Sequence, residues 1–166
     1  MQPKTKKPNN QSKTAAWNYA LRLLTFRQRS CQEMRLRLKQ KGFIDEIINQ
    51  TLEKLKDLNL LDDVRFAEDW ASYRVNNHPM GGLRLKQELQ QRGIEPSLAE
   101  EVVAKVLTPG LELVLAEKLA QRYCLKNYNK NTNSKRLAQY LWQRGFNIDI
   151  IYQVITKIDM YKDVDS

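Results

Sequence analysis

The sequence predicts an all-α protein of three tandem three-helix repeats stacked into an elongated, curved array. Three observations predict it. A segment of roughly fifty residues recurs three times, each copy turning on a glycine: Gly42, Gly93 and Gly145, spaced by 51 and 52 residues. Apolar residues sit at matched offsets from each glycine. Only six glycines and five prolines interrupt 166 residues, so long stretches are free to be helical.

The offsets define the elements. Eight residues before the glycine stand Met34, Leu85 and Leu137; four before it stand Leu38, Leu89 and Leu141. That spacing puts both side chains on one face of a helix ending at the glycine. Phe43, Ile94 and Phe146 follow the glycine directly. Offsets of five, ten and thirteen residues then carry Ile47, Leu52 and Leu55, Leu98, Val103 and Val106, and Ile150, Ile155 and Ile158, fitting the inward face of a following helix. The glycine closes the first helix in a left-handed conformation that a side chain penalises. Lys41, Arg92 and Arg144 precede it, at the negative end of the helix dipole.

A further helix opens each repeat. The first has Trp17, Ala20, Leu21 and Leu24 on one face. The second is capped by Asp62 and carries Val64, Phe66, Ala67, Trp70 and Tyr73; the third enters through Thr108-Pro109. Ser30 with Glu33 reads as a capping box. The expected frame is a disordered basic tail over 1–13 and repeats over 14–58, 59–108 and 109–161, with a longer Asn-rich loop from Asn127 to Asn133.

Composition bounds the setting. With 42% hydrophobic residues the chain has the material for a core, and 28 basic against 19 acidic residues give a net charge of +9. Such a balance favours a polyanion or an acidic protein surface as partner. Cys31 and Cys124 form no CxxC pair and read as buried or half-buried thiols of a reducing compartment. The basic N-terminus has no apolar segment behind it and no stretch is apolar for about eighteen residues, so a cytoplasmic protein is expected.

The charge is patterned. The helix before each glycine is basic, at +3, +2 and +3 for residues 30–41, 82–92 and 134–144. The helix after it is acidic, at −2, −2 and −1 for residues 44–57, 95–107 and 147–161. In register, the basic helices would form a stripe; the plain alternative is ordinary solvated faces with each cation paired to a neighbouring acid. An acidic second helix also disfavours a groove-reading helix-turn-helix, because phosphate repels it.

Catalytic signals are sparse. The single histidine, His78, reads as an exposed turn residue and cannot build a triad or a multi-histidine metal site. Asp62-Asp63 reads as a cap with a dipole partner, and Gly81-Gly82 lacks the Lys-Ser/Thr of a phosphate loop. Trp17, Trp70, Trp142, Phe66 and Tyr140 fall mostly at core spacing. No enzyme activity, cofactor or metal is expected.

Residues 58–74 (LNLLDDVRFAEDWASYR), 81–94 (GGLRLKQELQQRGI) and 19–43 (YALRLLTFRQRSCQEMRLRLKQKGF) together resemble the RecX regulatory proteins, and the likeness extends over roughly 15–158. The resemblance implies a monomeric, non-enzymatic modulator that binds RecA and its DNA filament and inhibits filament extension, ATP hydrolysis and strand exchange. Matching positions nominate Arg65, Arg74, Arg84, Lys86 and Arg92 for partner contact, with Arg35 and Arg37 as their equivalents in the first repeat. Arg65 stands three residues after Asp62, where it also fits a pairing with that cap across one turn. Two other readings are a nonspecific nucleic-acid backbone binder and a helical adaptor for an unrelated partner.

Overall fold

The computed structural model describes residues 12–127 and 133–164, with side chains to residue 158. Among them are nine α-helices and no strand. In chain order these are α1 (Lys13–Phe26), α2 (Cys31–Gln40), α3 (Asp45–Asp57), α4 (Asp63–Asn77), α5 (Gly82–Gln91), α6 (Pro96–Val106), α7 (Pro109–Lys126), α8 (Ser134–Gln143) and α9 (Ile148–Val164). Residues 1–11 of the expected tail, and 128–132 of the Asn-rich loop, lie outside the described residues. The tail's expected end is corrected: Ser12 accepts from the Ala15 amide, and this cap starts α1 at Lys13.

The expected caps are present. Asp62 accepts from the Val64 and Arg65 amides at 2.9 and 3.0 Å, so the contact between Asp62 and Arg65 runs through the backbone N–H. Thr108 caps α7, with Pro109 in the first turn. Ser30 accepts from the Glu33 amide at 3.1 Å. The Glu33 carboxylate does not complete a capping box but turns to two arginines.

Gly42, Gly93 and Gly145 have φ of 92°, 80° and 85°. At Gly42 and Gly145 the turn is the double-bonded helix ending: Gly42 and Phe43 amides donate to Lys39 and Leu38 carbonyls at 2.9 and 3.2 Å, and Gly145 and Phe146 amides donate to Trp142 and Leu141 at 2.9 and 3.3 Å. Asn59, at φ 53°, closes α3 in the same way.

The nine apolar residues at eight before, four before and one after the glycines are all buried, none above 6% exposure. The following helix presents the expected face, with Ile47, Leu52, Leu55 and Ile150 buried. Its centre lies at six and nine after the glycine, which are buried in every copy: Ile48, Ala99 and Ile151, then Thr51, Val102 and Val154. Leu98, Val103, Val106, Ile155 and Ile158 sit half-buried at its flanks. Among the opening helices, Ala20, Phe66 and Ala67 are buried as expected, and α4 is corrected at Val64 and Tyr73, which are exposed. Alanine pairs four residues apart, Ala16/Ala20, Ala67/Ala71 and Ala116/Ala120, have no exposed surface. An alanine seam lets backbones approach closely, which bulky side chains prevent.

The chain divides into two compact units. The first comprises residues up to Ala67 plus Arg92–Ile94; the second comprises Glu68–Gln91 plus Glu95 onward, so the cut falls inside α4. In the first unit, α1, α2 and α3 enclose a core of Ala16, Ala20, Met34, Leu38, Ile48 and Leu55. The Arg92–Ile94 turn belongs there because it grips the start of α2. The Ser30 hydroxyl donates to the Arg92 carbonyl, and the Cys31 amide donates to Asp63 Oδ1 at 2.7 Å. Asp62 and Asp63 thus cap two different helices.

The second unit repeats that joint with other residues. The Gly81 and Leu83 amides donate to the Arg144 and Gly145 carbonyls at 2.9 and 3.1 Å. The Gly82 amide donates to Glu112 Oε1 at 2.8 Å. In each unit the start of a basic helix is held by a glycine-turn carbonyl and by a carboxylate from the first turn of another helix.

Candidate partner-binding surface

The nominated cations divide by environment. In the first unit Arg35 and Arg37 project from α2 and donate to neutral amides, Asn49 Oδ1 at 2.8 Å and Gln40 Oε1 at 3.3 Å. Among the described residues no carboxylate lies at bonding distance of either. Arg65 is exposed on α4. Arg92 is different: its guanidinium lies 2.8 Å from Glu33, which also takes Arg27 at 2.7 Å.

In the second unit Arg74 makes a two-pronged bond to Glu88, with Nε and Nη2 at 2.7 and 2.8 Å. Both side chains are under one-fifth exposed. Arg84 reaches the same carboxylate at 3.5 Å and the Gln143 carbonyl at 3.3 Å. Burial alone would raise the Glu88 pKa, but the Arg74 hydrogen bonds and charge, helped by Arg84, hold it below the ordinary range. Lys86 meets Glu100 at 2.7 Å. Arg74, Arg84, Lys86 and Arg92 are therefore paired internally: Glu100, the partner of Lys86, lies on the acidic helix α6, whereas Glu88 and Glu33 lie on the basic helices α5 and α2 themselves.

The structure brings Arg74, Arg84 and Glu88 together and leaves Arg35, Arg37 and Arg65 as separate exposed or half-exposed positions. It also shows groups that spacing alone did not reveal. Trp142, placed at core spacing, is 58% exposed and walls a groove with Leu83, Arg84, Gln87 and Gln91. Tyr140 is half-buried and stacks on Tyr123, with ring centroids 4.6 Å apart and planes 25° apart. Trp17 and Trp70 are half-buried, and His78 is exposed beside Tyr73.

Among the described residues no cluster of three or more His, Cys, Asp or Glu is arranged to hold a metal. Both cysteines are half-buried and unbridged. Burial, with the Asp63 charge, pushes the Cys31 thiol up to about 11, which keeps it protonated near neutrality. Burial likewise raises Glu112, partly offset by the Gly82 amide. No described helix is long and apolar enough to cross a membrane.

Family models of RecX match here: its first three-helix domain over residues 16–55 and its second over residues 62–103. The regulatory protein RecX of Prosthecochloris aestuarii is 36% identical over 143 residues, covering 86% of this chain and 93% of that protein. The chain belongs to the RecX family. The regulatory protein RecX of Trichlorobacter lovleyi is 35% identical over 141 residues, covering 83% of this chain and 92% of its own. The crystal structure of RecX from Lactobacillus salivarius superposes with a TM-score of 0.81 at 25% identity, covering 89% of this chain and 97% of that one. Coverage of that extent takes in much of α7–α9 as well as the two matched domains. The Asp62–Asp63 double cap and the Gly93 turn both lie inside the second matched domain.

Proposed function

We propose that this RecX-family chain binds RecA and its DNA filament and restrains filament extension, ATP hydrolysis and strand exchange, as a cytoplasmic monomer without catalysis of its own. Membership of a family whose members are named regulatory proteins carries the reading. The resemblance of residues 58–94 supplies RecA as the partner. Helical surfaces joined by backbone hydrogen bonds suit a protein that must present a fixed face to a repeating filament.

Among the nominated cations, Arg35 and Arg37 are assigned the electrostatic contact in the first unit, since neutral amides leave their charge available to an acidic protein surface or phosphate. Arg84 and Lys86 keep surface exposure but must exchange a carboxylate for a partner, which weakens their contribution. Arg74 and Arg92 are assigned to holding the helices that present the others.

The experiment follows ATP hydrolysis by RecA on single-stranded DNA while substoichiometric protein is added. Inhibition well below the ratio that would coat the DNA is expected, weakened in Arg35→Glu/Arg37→Glu with helix content unchanged. Absence of inhibition at every such ratio refutes the RecA reading. Full inhibition by the double variant refutes only the assignment of the α2 arginines.

A further inference from the structure

A groove in the second unit collects side chains that the rest of the fold leaves unused. α5 begins where α8 ends: the Gly81 and Leu83 amides hold the Arg144 and Gly145 carbonyls, and Arg84 reaches the Gln143 carbonyl at 3.3 Å. Beside that joint the two helices wall a cleft of about 480 Å³, the size of a ligand site. Leu83 and Trp142 line it and are 48% and 58% exposed. Leu83, Gln87 and Gln91 recur every four residues along α5 and are all exposed, a row about 12 Å long on one helix face.

The polar groups of the groove are of a particular kind. Gln87, Gln91 and Gln143 bring three carboxamides, and among the described residues none of these side chains makes a hydrogen bond. Each carboxamide both donates and accepts. At the groove's one carboxylate, Arg74 takes both Glu88 oxygens at 2.7 and 2.8 Å, and Arg84 stands 3.5 Å from one of them. Two guanidiniums share that carboxylate and no other acid lines the groove, which leaves one positive charge in excess.

These properties select an occupant. An extended peptide carries backbone N–H and C=O groups that the carboxamides can meet, whereas a helix has already paired its own. The 12 Å row spans about four extended residues at about 3.3 Å each. A flat indole beside a leucine seats a large apolar side chain, and Arg84 gains a close carboxylate in place of its long contact with Glu88. A polynucleotide, charged at every phosphate, would need a succession of cations where this wall offers amides.

We propose that the α5–α8 groove docks a short extended segment of a partner protein, with an apolar side chain on Leu83 and Trp142, an acidic residue on Arg84, and Gln87 and Gln91 holding its backbone. This goes beyond the reading of RecA regulation and needs no RecA to be tested.

The test is selection from a display library of random nine-residue peptides on the immobilised full chain, with counter-selection on Trp142→Ala. Survivors are expected to carry Phe, Trp, Leu or Met within two positions of Asp or Glu. The most enriched peptide, labelled and followed by fluorescence anisotropy, should bind with a Kd of about 1–100 μM, as suits so small a contact. Trp142→Ala should weaken it roughly 10- to 30-fold, and Gln87→Ala/Gln91→Ala roughly 5- to 50-fold. Arg84→Gln should weaken it roughly 3- to 10-fold, and removing the peptide's acid should cost nothing more in that variant. Circular dichroism should be unchanged, because every altered side chain is exposed. Survivors without the acidic and apolar pair, or none that distinguish wild type from Trp142→Ala, overturn the proposal. So does unaltered affinity in Gln87→Ala/Gln91→Ala. Survivors with apolar residues at three- and four-residue spacing assign the groove to a helix, and a dimer in sedimentation that Trp142→Ala dissociates assigns it to a second copy; either result overturns the extended segment. Since RecA is absent throughout, none of these outcomes bears on inhibition of its ATP hydrolysis.

Discussion

Replacing Gly93 by alanine tests the joint between the second glycine turn and α2. A β-carbon built there falls 2.2 Å from Gln32 Cβ and 2.5 Å from Gln32 Cγ, and the backbone stands at φ 80°. The left-handed conformation costs an alanine about 1–2 kcal/mol. Relieving the collision must displace α2 from a turn held by the Ser30 hydroxyl, an overpacking cost of about 1–3 kcal/mol. The sum is about 2–5 kcal/mol, and its middle value lowers the melting temperature by about 7–14 °C for a chain of this length. Urea unfolding followed by helix dichroism reads the loss. Two further variants separate the causes. Both colliding atoms belong to the Gln32 side chain, so Gln32→Gly should reduce the cost of Gly93→Ala to the left-handed part, a favourable coupling of about 1–3 kcal/mol. Gly145 offers no such rescue: its β-carbon would meet the Arg84 backbone nitrogen at 2.5 Å as well as Arg84 Cβ at 2.3 Å. Gly110, with nothing within 4 Å and a place in the first turn of α7, should gain about 0.5–1 kcal/mol as alanine. Additivity of Gly93→Ala and Gln32→Gly within about 0.5 kcal/mol would refute the close packing.

Asp63→Ala removes the cap from the Cys31 amide and should cost about 0.5–2 kcal/mol; because Asp63 helps hold the thiol up, Cys31 should also react faster with a thiol reagent at mildly alkaline pH. Glu88→Ala strands the half-buried Arg74 and should cost about 1.5–3 kcal/mol in urea unfolding. The Glu88 pKa is depressed in the folded chain, so its stabilisation is present above the unfolded carboxylate pKa and is lost as pH falls through the folded value. Acidification should therefore narrow the gap between wild type and variant, and a constant gap would contradict the pairing. Glu112 has the opposite sign. Its pKa is raised by burial, so the favourable protonated state prevails at low pH and is lost as pH rises through the folded value. Glu112→Gln, which keeps an acceptor for the Gly82 amide, should gain stability relative to wild type as pH rises above the unfolded carboxylate pKa, and keep that gain above the folded value.

Local and periodic features were legible from residue order. Helix count, glycine turns and caps depend on interactions within a few residues, so Gly42, Asp62 and Thr108 announced themselves, as did the apolar positions flanking each glycine. The alanine pairs were equally periodic, recurring 26 and 22 residues before the glycine in the first two repeats and three residues further back in the third. Ala20 and Ala67 fall on the expected faces, but the pairing is faint in residue order because alanine is a weak hydrophobic signal, and its value lies in the smallness that lets helices meet. Acidic third helices beside basic second helices likewise pointed to pairing, realised by Lys86 with Glu100.

Tertiary structure decided which charges and rings remain available. Residue order cannot tell that Asp63 caps α2 while Asp62 caps α4, because the bonded groups lie 32 residues apart. Nor can it separate Arg74, clamped by Glu88, from Arg122, which forms no ion pair among the described residues, since both are arginines on helices. Trp142 shows the limit most simply. Its helical spacing is compatible with the core, but the inward face of α8 is already filled by Leu137 and Leu141 at four-residue spacing. Packing has room for one face of a helix, and the indole was left on the other.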